Sequence, residues 1–266
     1  MLAIPLYDDT PRLRPPVVTS GLIGACVVMF LWQSALGPDA GDAAALSLGM
    51  VPAVLFGYAR LPPTLQLVPA WLTPITCMFL HEGWLHLGGN MLYLWIFGKG
   101  VESALGAVRY TALYLLCGVI AALTQAMVSP QSTVPMIGAS GAIAGVLGAY
   151  LVIYPRSNVV VFLWIIILVR LLTVPAVILL GLWFLIQLLS ASAAPAGEAG
   201  VAFWAHVGGF LAGIVLVLVL RRRDVAMLQP PRTTSFQIAR PRDARQRFGR
   251  GSVPSAGRPS RREPWR

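Results

Sequence analysis

Long apolar runs separated by short polar breaks set the pattern of this chain. A helix that crosses a bilayer needs about 20 largely apolar residues. Six segments approach that length: residues 17–36, about 76–97, about 107–128, about 138–154, 174–190 and about 202–220. The fourth is stopped by Pro155 in "YPRSN" and the sixth by "RRR". Two further apolar pieces are too short or too interrupted to span. "MVPAVLFGYA" (50–59) reads as interfacial or re-entrant, and 159–172, cut by Arg170 and Pro175, reads as interfacial. The pattern predicts an all-α polytopic membrane protein of six transmembrane helices, each making its backbone hydrogen bonds internally as lipid requires.

Composition agrees. The 266 residues are 57% hydrophobic and 11% charged, and the mean hydropathy is +0.73, too apolar for a water-soluble globule. Residues 17–36 could also be a cleaved signal peptide ending at "QSALG". The long preceding segment with Asp8 and Asp9, and the many later spans, argue for a first span instead. Cys26, Cys77 and Cys117 are odd in number, far apart and in apolar surroundings, so they read as small buried hydrophobes rather than a disulfide or metal framework.

Charge orients the spans. The net charge is +10, and the segment from Arg221 onward supplies all of it, with thirteen Arg against Asp224, Asp243 and Glu263. Residues 1–220 balance to zero. By the positive-inside rule the Arg-rich tail is cytoplasmic. With six spans the N-terminus is too, and Lys99, Arg109, Arg156 and Arg170 fall on the same side. The domain reading is a cytoplasmic N-terminal segment 1–16, a six-span body 17–220 and a basic, disordered cytoplasmic tail 221–266. Such a tail can touch anionic lipid or nucleic acid. It reads first as a topology signal, and no nucleic-acid partner is expected.

That topology brings polar groups to one depth. The chain has three histidines, His81, His86 and His206, all in or at the mouth of an expected span. Spans two, four and six each enter from the outer side. His81, His86, Asn90, Ser140 and His206 therefore lie within roughly 10 Å of one level at ~1.5 Å rise per residue. Ser140, Ala144 and Gly148 form one stripe of small residues, and His206, Gly209 and Gly213 another, so two helices packed along them would bring Ser140 to His206. A serine hydroxyl needs an adjacent base to become a nucleophile. His206 can take that proton and return it to a leaving amine. Oxyanion donors are the Ser140 N–H, the Asn90 amide and an N–H of His86. With no intramembrane Asp or Glu to orient His206, the arrangement is a dyad. A packing serine, a structural histidine, a three-histidine metal site and a proton path through the histidines are the competing readings. A non-catalytic binder that retains membrane proteins is another.

"HEGWLHLGGN", "GASGAIAG" and "AHVGGFLAG", in this order on the second, fourth and sixth spans, resemble the rhomboid family of intramembrane serine proteases. The resemblance covers about residues 71–220. It implies Ser140 as nucleophile and His206 as base, with His86 and Asn90 on the oxyanion side and His81 accompanying them. It implies Gly138 and Gly141 flanking the serine, Gly209 and Gly213 allowing close helix packing, and Glu102 bonding loop backbone. Two positions depart from the family pattern. Leu72 follows Trp71 where Arg is common. Ala144 stands where an aromatic often stacks on the histidine, so the motifs alone do not say what holds the His206 ring. The resemblance further implies a serine endopeptidase without metal or organic cofactor. Its substrates would be transmembrane segments of other membrane proteins, cut near the outer face, with 37–70 and the fifth span as candidates for lateral access. The expected setting is the lipid bilayer of a bacterial inner membrane. The oligomeric state is not readable from the chain.

Overall fold

The computed structural model describes residues 2–10, 15–165, 168–193 and 201–236. Arg12, Arg14 and tail residues 237–266 lie outside the described residues. The longer helices among the described residues are α1 (Val17–Ala35), α2 (Pro38–Leu48), α3 (Trp84–Leu105), α4 (Ala107–Val128), α5 (Ser140–Ile153), α6 (Ala176–Ala193) and α7 (Phe203–Leu220). By length and composition α1, α4, α6 and α7 can each cross a membrane. Pro63–Phe79 meets α3 at 82°, a bent apolar pair with the form of a broken span or a re-entrant loop, so the candidate spans number four to five among the described residues. The protein is thus a mostly helical, polytopic membrane protein.

The six-span expectation is not met by length, because α5 has 14 residues. At ~1.5 Å per residue it is about 21 Å long, short of a hydrocarbon core of about 30 Å. It need not reach both surfaces. Eleven of its residues are buried between neighbours, chiefly α4 and α7. Irregular backbone at membrane depth is tolerated where protein surrounds it and satisfies its polar groups. The approach to α5 does this: Met50 and Met136 exchange backbone bonds of 3.0 and 2.8 Å, and Gly138 N–H donates to the Cys77 carbonyl at 2.9 Å. "MVPAVLFGYA" supplies the other half of that arrangement, with Met50, Val51 and Ala53 buried.

Close backbone approach holds the centre together. A Cβ on Gly209 would collide with the Gly141 carbonyl, one on Gly213 with the Gly145 carbonyl, and one on Gly148 with the Phe210 carbonyl. The contacting stripe on α5 is therefore Gly141, Gly145 and Gly148. The expected Ser140–Ala144–Gly148 stripe is displaced by one residue at two of its three positions. Small residues at such crossings replace side-chain contact with backbone packing.

A three-stranded antiparallel sheet corrects the all-α expectation. Its order is β1 (Leu2–Asp8), β2 (Asn158–Ile165), β3 (Leu168–Pro175). Asn158 pairs with Pro175 and Asp8 with Val159. The apolar piece 159–172 is rich in Val with Phe162 and Trp164, residues that suit a pleated sheet better than a helix. Pro5 sits in the edge strand at a register shift, where a missing N–H is tolerated. The sheet lies at the C-terminal end of α5, remote from Ser140. There Asp8 accepts from Tyr150 Oη at 2.8 Å. Asp9 accepts from the Asn158 N–H at 2.8 Å, Arg232 N–H at 3.1 Å and Thr233 Oγ1 at 2.7 Å. Residues 228–236, expected in the disordered tail, also bond Val152, Ile153, Asn158 and Thr173.

Glu102 fixes the start of α1. It is buried, and its carboxylate accepts from Val18 N–H (2.8 Å), Thr19 N–H (2.8 Å) and Thr19 Oγ1 (2.7 Å). The first N–H groups of a helix have no intrahelical acceptor, and an anion there also suits the helix dipole. Glu102 thus bonds backbone, as expected, but that of a helix terminus. Glu102→Ala strands three donors and should cost about 2–4 kcal/mol, read as a loss of unfolding free energy in detergent, with Glu102→Gln losing less.

Candidate active site

The site is built from the turn that precedes α5. Gly138 has φ +125°, a backbone conformation that disfavours a side chain. A Cβ there would also lie 2.8 Å from His86 Nε2 and Cε1. Glycine is required twice over, for the turn and for seating the His86 ring against the backbone. The turn delivers Ser140 as the first residue of α5, where helix N–H groups lack intrahelical acceptors. No side chain caps this terminus. The helix dipole there favours developing negative charge.

His206 reaches Ser140 from α7. Its Nε2 lies 2.8 Å from Ser140 Oγ. The glycine crossing accounts for this distance, because Gly209 and Gly213 follow His206 on α7 and press directly onto α5. His206 is nearly buried. Its other ring nitrogen, Nδ1, lies 2.7 Å from Gln187 Oε1 on α6. The tautomer that pairs with this amide oxygen has its proton on Nδ1 and a lone pair on Nε2. Ser140 Oγ–H then donates to Nε2, which is the arrangement a general base needs.

Aromatic neighbours flank the ring. Trp183 on α6 lies 5.9 Å from it, centroid to centroid, tilted by 38°, and Phe203 meets it edge-on at 6.4 Å. Ala144 is buried in the core and supplies no aromatic. The packing that Ala144 does not supply comes instead from α6 and from the first turn of α7.

His86 and Asn90 both approach the turn at Gly138. They are i, i+4 on α3, so one helix face presents both. Asn90 Nδ2 lies 3.8 Å from the Cβ position of Gly138, next to the His86 contact. That amide nitrogen is buried and has no hydrogen-bond acceptor among the described residues. A buried donor is costly to leave without an acceptor, so this nitrogen is available for a hydrogen bond beside the turn that carries Ser140. His81 lies in the connection before α3 rather than inside a span. It is fully buried, packs edge-on against His86 with centroids 5.3 Å apart, and its ring nitrogens have no partner among the described residues. Its N–H contacts Gln33 Oε1 at 3.4 Å.

Four of the expected residues thus gather at the start of α5: Ser140 with His206, and His86 and Asn90 against Gly138, two residues before the serine. His81 backs His86. Gly141, Gly209 and Gly213 form the helix crossing, and Glu102 lies elsewhere, at the start of α1. Sequence reasoning missed Gln187 and Trp183. The available signal was one amide in "LLGLWFLIQLL", an otherwise apolar span, four residues after a tryptophan.

Fold and side-chain geometry together define a polytopic membrane protein that holds a serine–histidine pair inside its helical bundle. The Rhomboid domain family pattern matches residues 69–223, more than half of the chain, and the chain belongs to the rhomboid family. It is 32% identical over 164 residues to Rhomboid-like protein 11, chloroplastic, of Arabidopsis thaliana, covering 58% of this chain and 54% of that protein. It is 34% identical over 156 residues to RHOMBOID-like protein 5 of the same plant, covering 56% and 44%. Rhomboid protease GluP of Bacillus subtilis (strain 168) is 41% identical over 81 residues, 30% of this chain and 15% of that protein. The match spans about half the length of the two plant relatives.

Proposed function

We propose that this chain is an intramembrane serine endopeptidase that cuts peptide bonds in transmembrane segments of other membrane proteins. The observation that carries the reading is the 2.8 Å contact of Ser140 Oγ with His206 Nε2 in a member of this family. In the proposed reaction Ser140 Oγ attacks the scissile carbonyl while its proton passes to His206 Nε2. The tetrahedral oxyanion takes hydrogen bonds from the Ser140 N–H, the Asn90 amide and His86. Collapse breaks the C–N bond, and His206 Nε2–H protonates the leaving amine. Water, activated by the same nitrogen, then hydrolyses the acyl-enzyme. All steps use side chains and backbone alone.

The setting is part of the proposal. The proposed setting is a bacterial inner membrane with both termini in the cytoplasm and Ser140 toward the outer face, an orientation that the arginine enrichment after α7 supports. The six apolar segments then cross as six spans, α5 being recessed within the bundle. A recessed serine needs water from the outer side and a substrate segment that can unwind to present its carbonyl.

The test is cleavage of a single-span reporter in proteoliposomes, with labelling by a serine-directed fluorophosphonate. Wild type is expected to cut the reporter and take the label on Ser140. Equal cleavage by Ser140→Ala overturns the proposal. Capture of the reporter with neither product nor label would point to a retention role.

A further inference from the structure

α6 meets the bundle along one stripe. Leu180, Trp183, Gln187 and Ala191 fall at i, i+3, i+7 and i+11, the spacing of a single helix face. Leu180 and Ala191 are buried, whereas Leu182, Leu185, Ile186 and Leu189 on the other faces are exposed. Gln187 is the one carboxamide in this helix. An amide on an apolar span is costly to leave unpaired, so its position on the buried stripe needs a partner there. The partner is His206 Nδ1, at 2.7 Å.

We infer that Gln187 is a positioning residue for His206, the third member of a hydrogen-bonded Ser140–His206–Gln187 row. This rests on the protease reading above. Gln187 Oε1 accepts the Nδ1–H hydrogen bond. That bond excludes the other tautomer, in which Nε2 would hold the proton and could not accept from Ser140. It also orients the ring, which Trp183 and Phe203 flank. When Nε2 takes the Ser140 proton, the Gln187 carbonyl dipole points at the imidazolium formed. An aspartate would stabilise that cation more strongly, but would itself have to be buried as a charge. A neutral acceptor avoids the desolvation of an anion in a largely apolar bundle. The proton moves only between Ser140 Oγ and His206 Nε2, and Nδ1 keeps its own throughout.

Among the described residues, Gln187 is the hydrogen-bond partner of Nδ1. Toward the His206 ring α5 presents Ser140, α6 presents Gln187 and Trp183, and the first turn of α7 presents Phe203. An ionisable neighbour among the described residues is His86 of α3. A carboxylate introduced at 187 would therefore act on the ring as its nearest anion.

The test compares Gln187→Leu and Gln187→Glu in proteoliposomes, with kcat and KM measured across pH on a single-span reporter. Gln187→Leu, which lacks the acceptor, is expected to lower kcat about 10–100-fold with KM little changed. Gln187→Glu restores the acceptor. It should recover most of kcat and move the acidic limb of the kcat/KM profile to higher pH, because a carboxylate favours the imidazolium. Gln187→Leu with wild-type kcat, or Gln187→Glu as slow as Gln187→Leu with an unmoved profile, overturns the inference.

A second readout does not depend on cleavage. Nitrogen-15 spectra of histidine-labelled protein in micelles, with His206 assigned by its loss in His206→Ala, report which ring nitrogen carries the proton. Wild type should show Nδ1–H, and Gln187→Leu a mixture with Nε2–H. The same tautomer in both, or Nε2–H in wild type, overturns the inference. Absence of Ser140-dependent cleavage with the expected spectra would instead overturn the protease reading alone.

Discussion

Ser140→Ala and His206→Asn are each expected to lower kcat/KM by ~10⁴-fold or more, and the double substitution to lower it no further. The 2.8 Å bond makes the two side chains one device. Without the Ser140 hydroxyl, His206 has no nucleophile to deprotonate. Without His206, the hydroxyl is held in an apolar bundle with no base at Oγ. Groups that act as a unit lose nearly everything with the first member, so their losses do not add. A factor of ~10⁴ corresponds to about 5.5 kcal/mol of transition-state stabilisation. Neither substitution should disturb the fold, because the α5–α7 crossing is made by glycine backbone below the pair. Reporter cleavage in proteoliposomes gives the rates, and unfolding in detergent gives the control. Losses that add in the double variant would mean that the two residues act separately. A stability loss matching the activity loss would mean that the residues are structural.

Much of this arrangement is legible in the chain because lipid simplifies the reading. The apolar runs place α1, α4, α6 and α7 to within three residues at either end. The charge distribution puts Ser140 and His206 at one level before any contact is known. Two kinds of feature escape. The first is pairing across long separations. β1 meets β2 some 150 residues later, and Asp9 is bonded by Arg232 and Thr233 of the distal segment. No local period encodes such pairs, so Asp8 and Asp9 look like solvated charges when they are buried acceptors. The second is the amide whose purpose lies on another helix. Gln187 looks tolerated in an apolar span until its neighbour is seen to be His206 Nδ1. The α3 boundary escapes for a related reason. "LHEG" reads as the continuation of an apolar run, but the 82° bend there turns His81 out of the helix and leaves His86 and Asn90 inside it.

Gly213→Val is expected to abolish both cleavage and fluorophosphonate labelling, although it touches neither Ser140 nor His206. The Cβ alone would overlap the Gly145 carbonyl and lie 2.6 Å from its carbon and 2.8 Å from its Cα. These are backbone atoms of a buried helix, which cannot rotate aside as a side chain could. The helices must instead separate or shear. Overpacking of this kind costs about 1–3 kcal/mol, and more where backbone has to move. The chemistry is more sensitive than the fold. A displacement of about 1 Å at a reacting pair can cost ~10²-fold in rate. Gly213→Ala should therefore retain a folded protein with strongly reduced cleavage, while Gly213→Val loses stability as well. Gly24→Ala in α1, where nothing lies within 4 Å of the added Cβ, is the control and should leave both properties near wild type. Unfolding midpoints in detergent and cleavage rates in proteoliposomes separate the two effects. Wild-type labelling of Gly213→Val would mean that the α5–α7 approach does not set the distance between Ser140 and His206. The requirement for glycine on α7 and the reactivity expected of the serine on α5 have one physical origin, the contact of the two helix backbones.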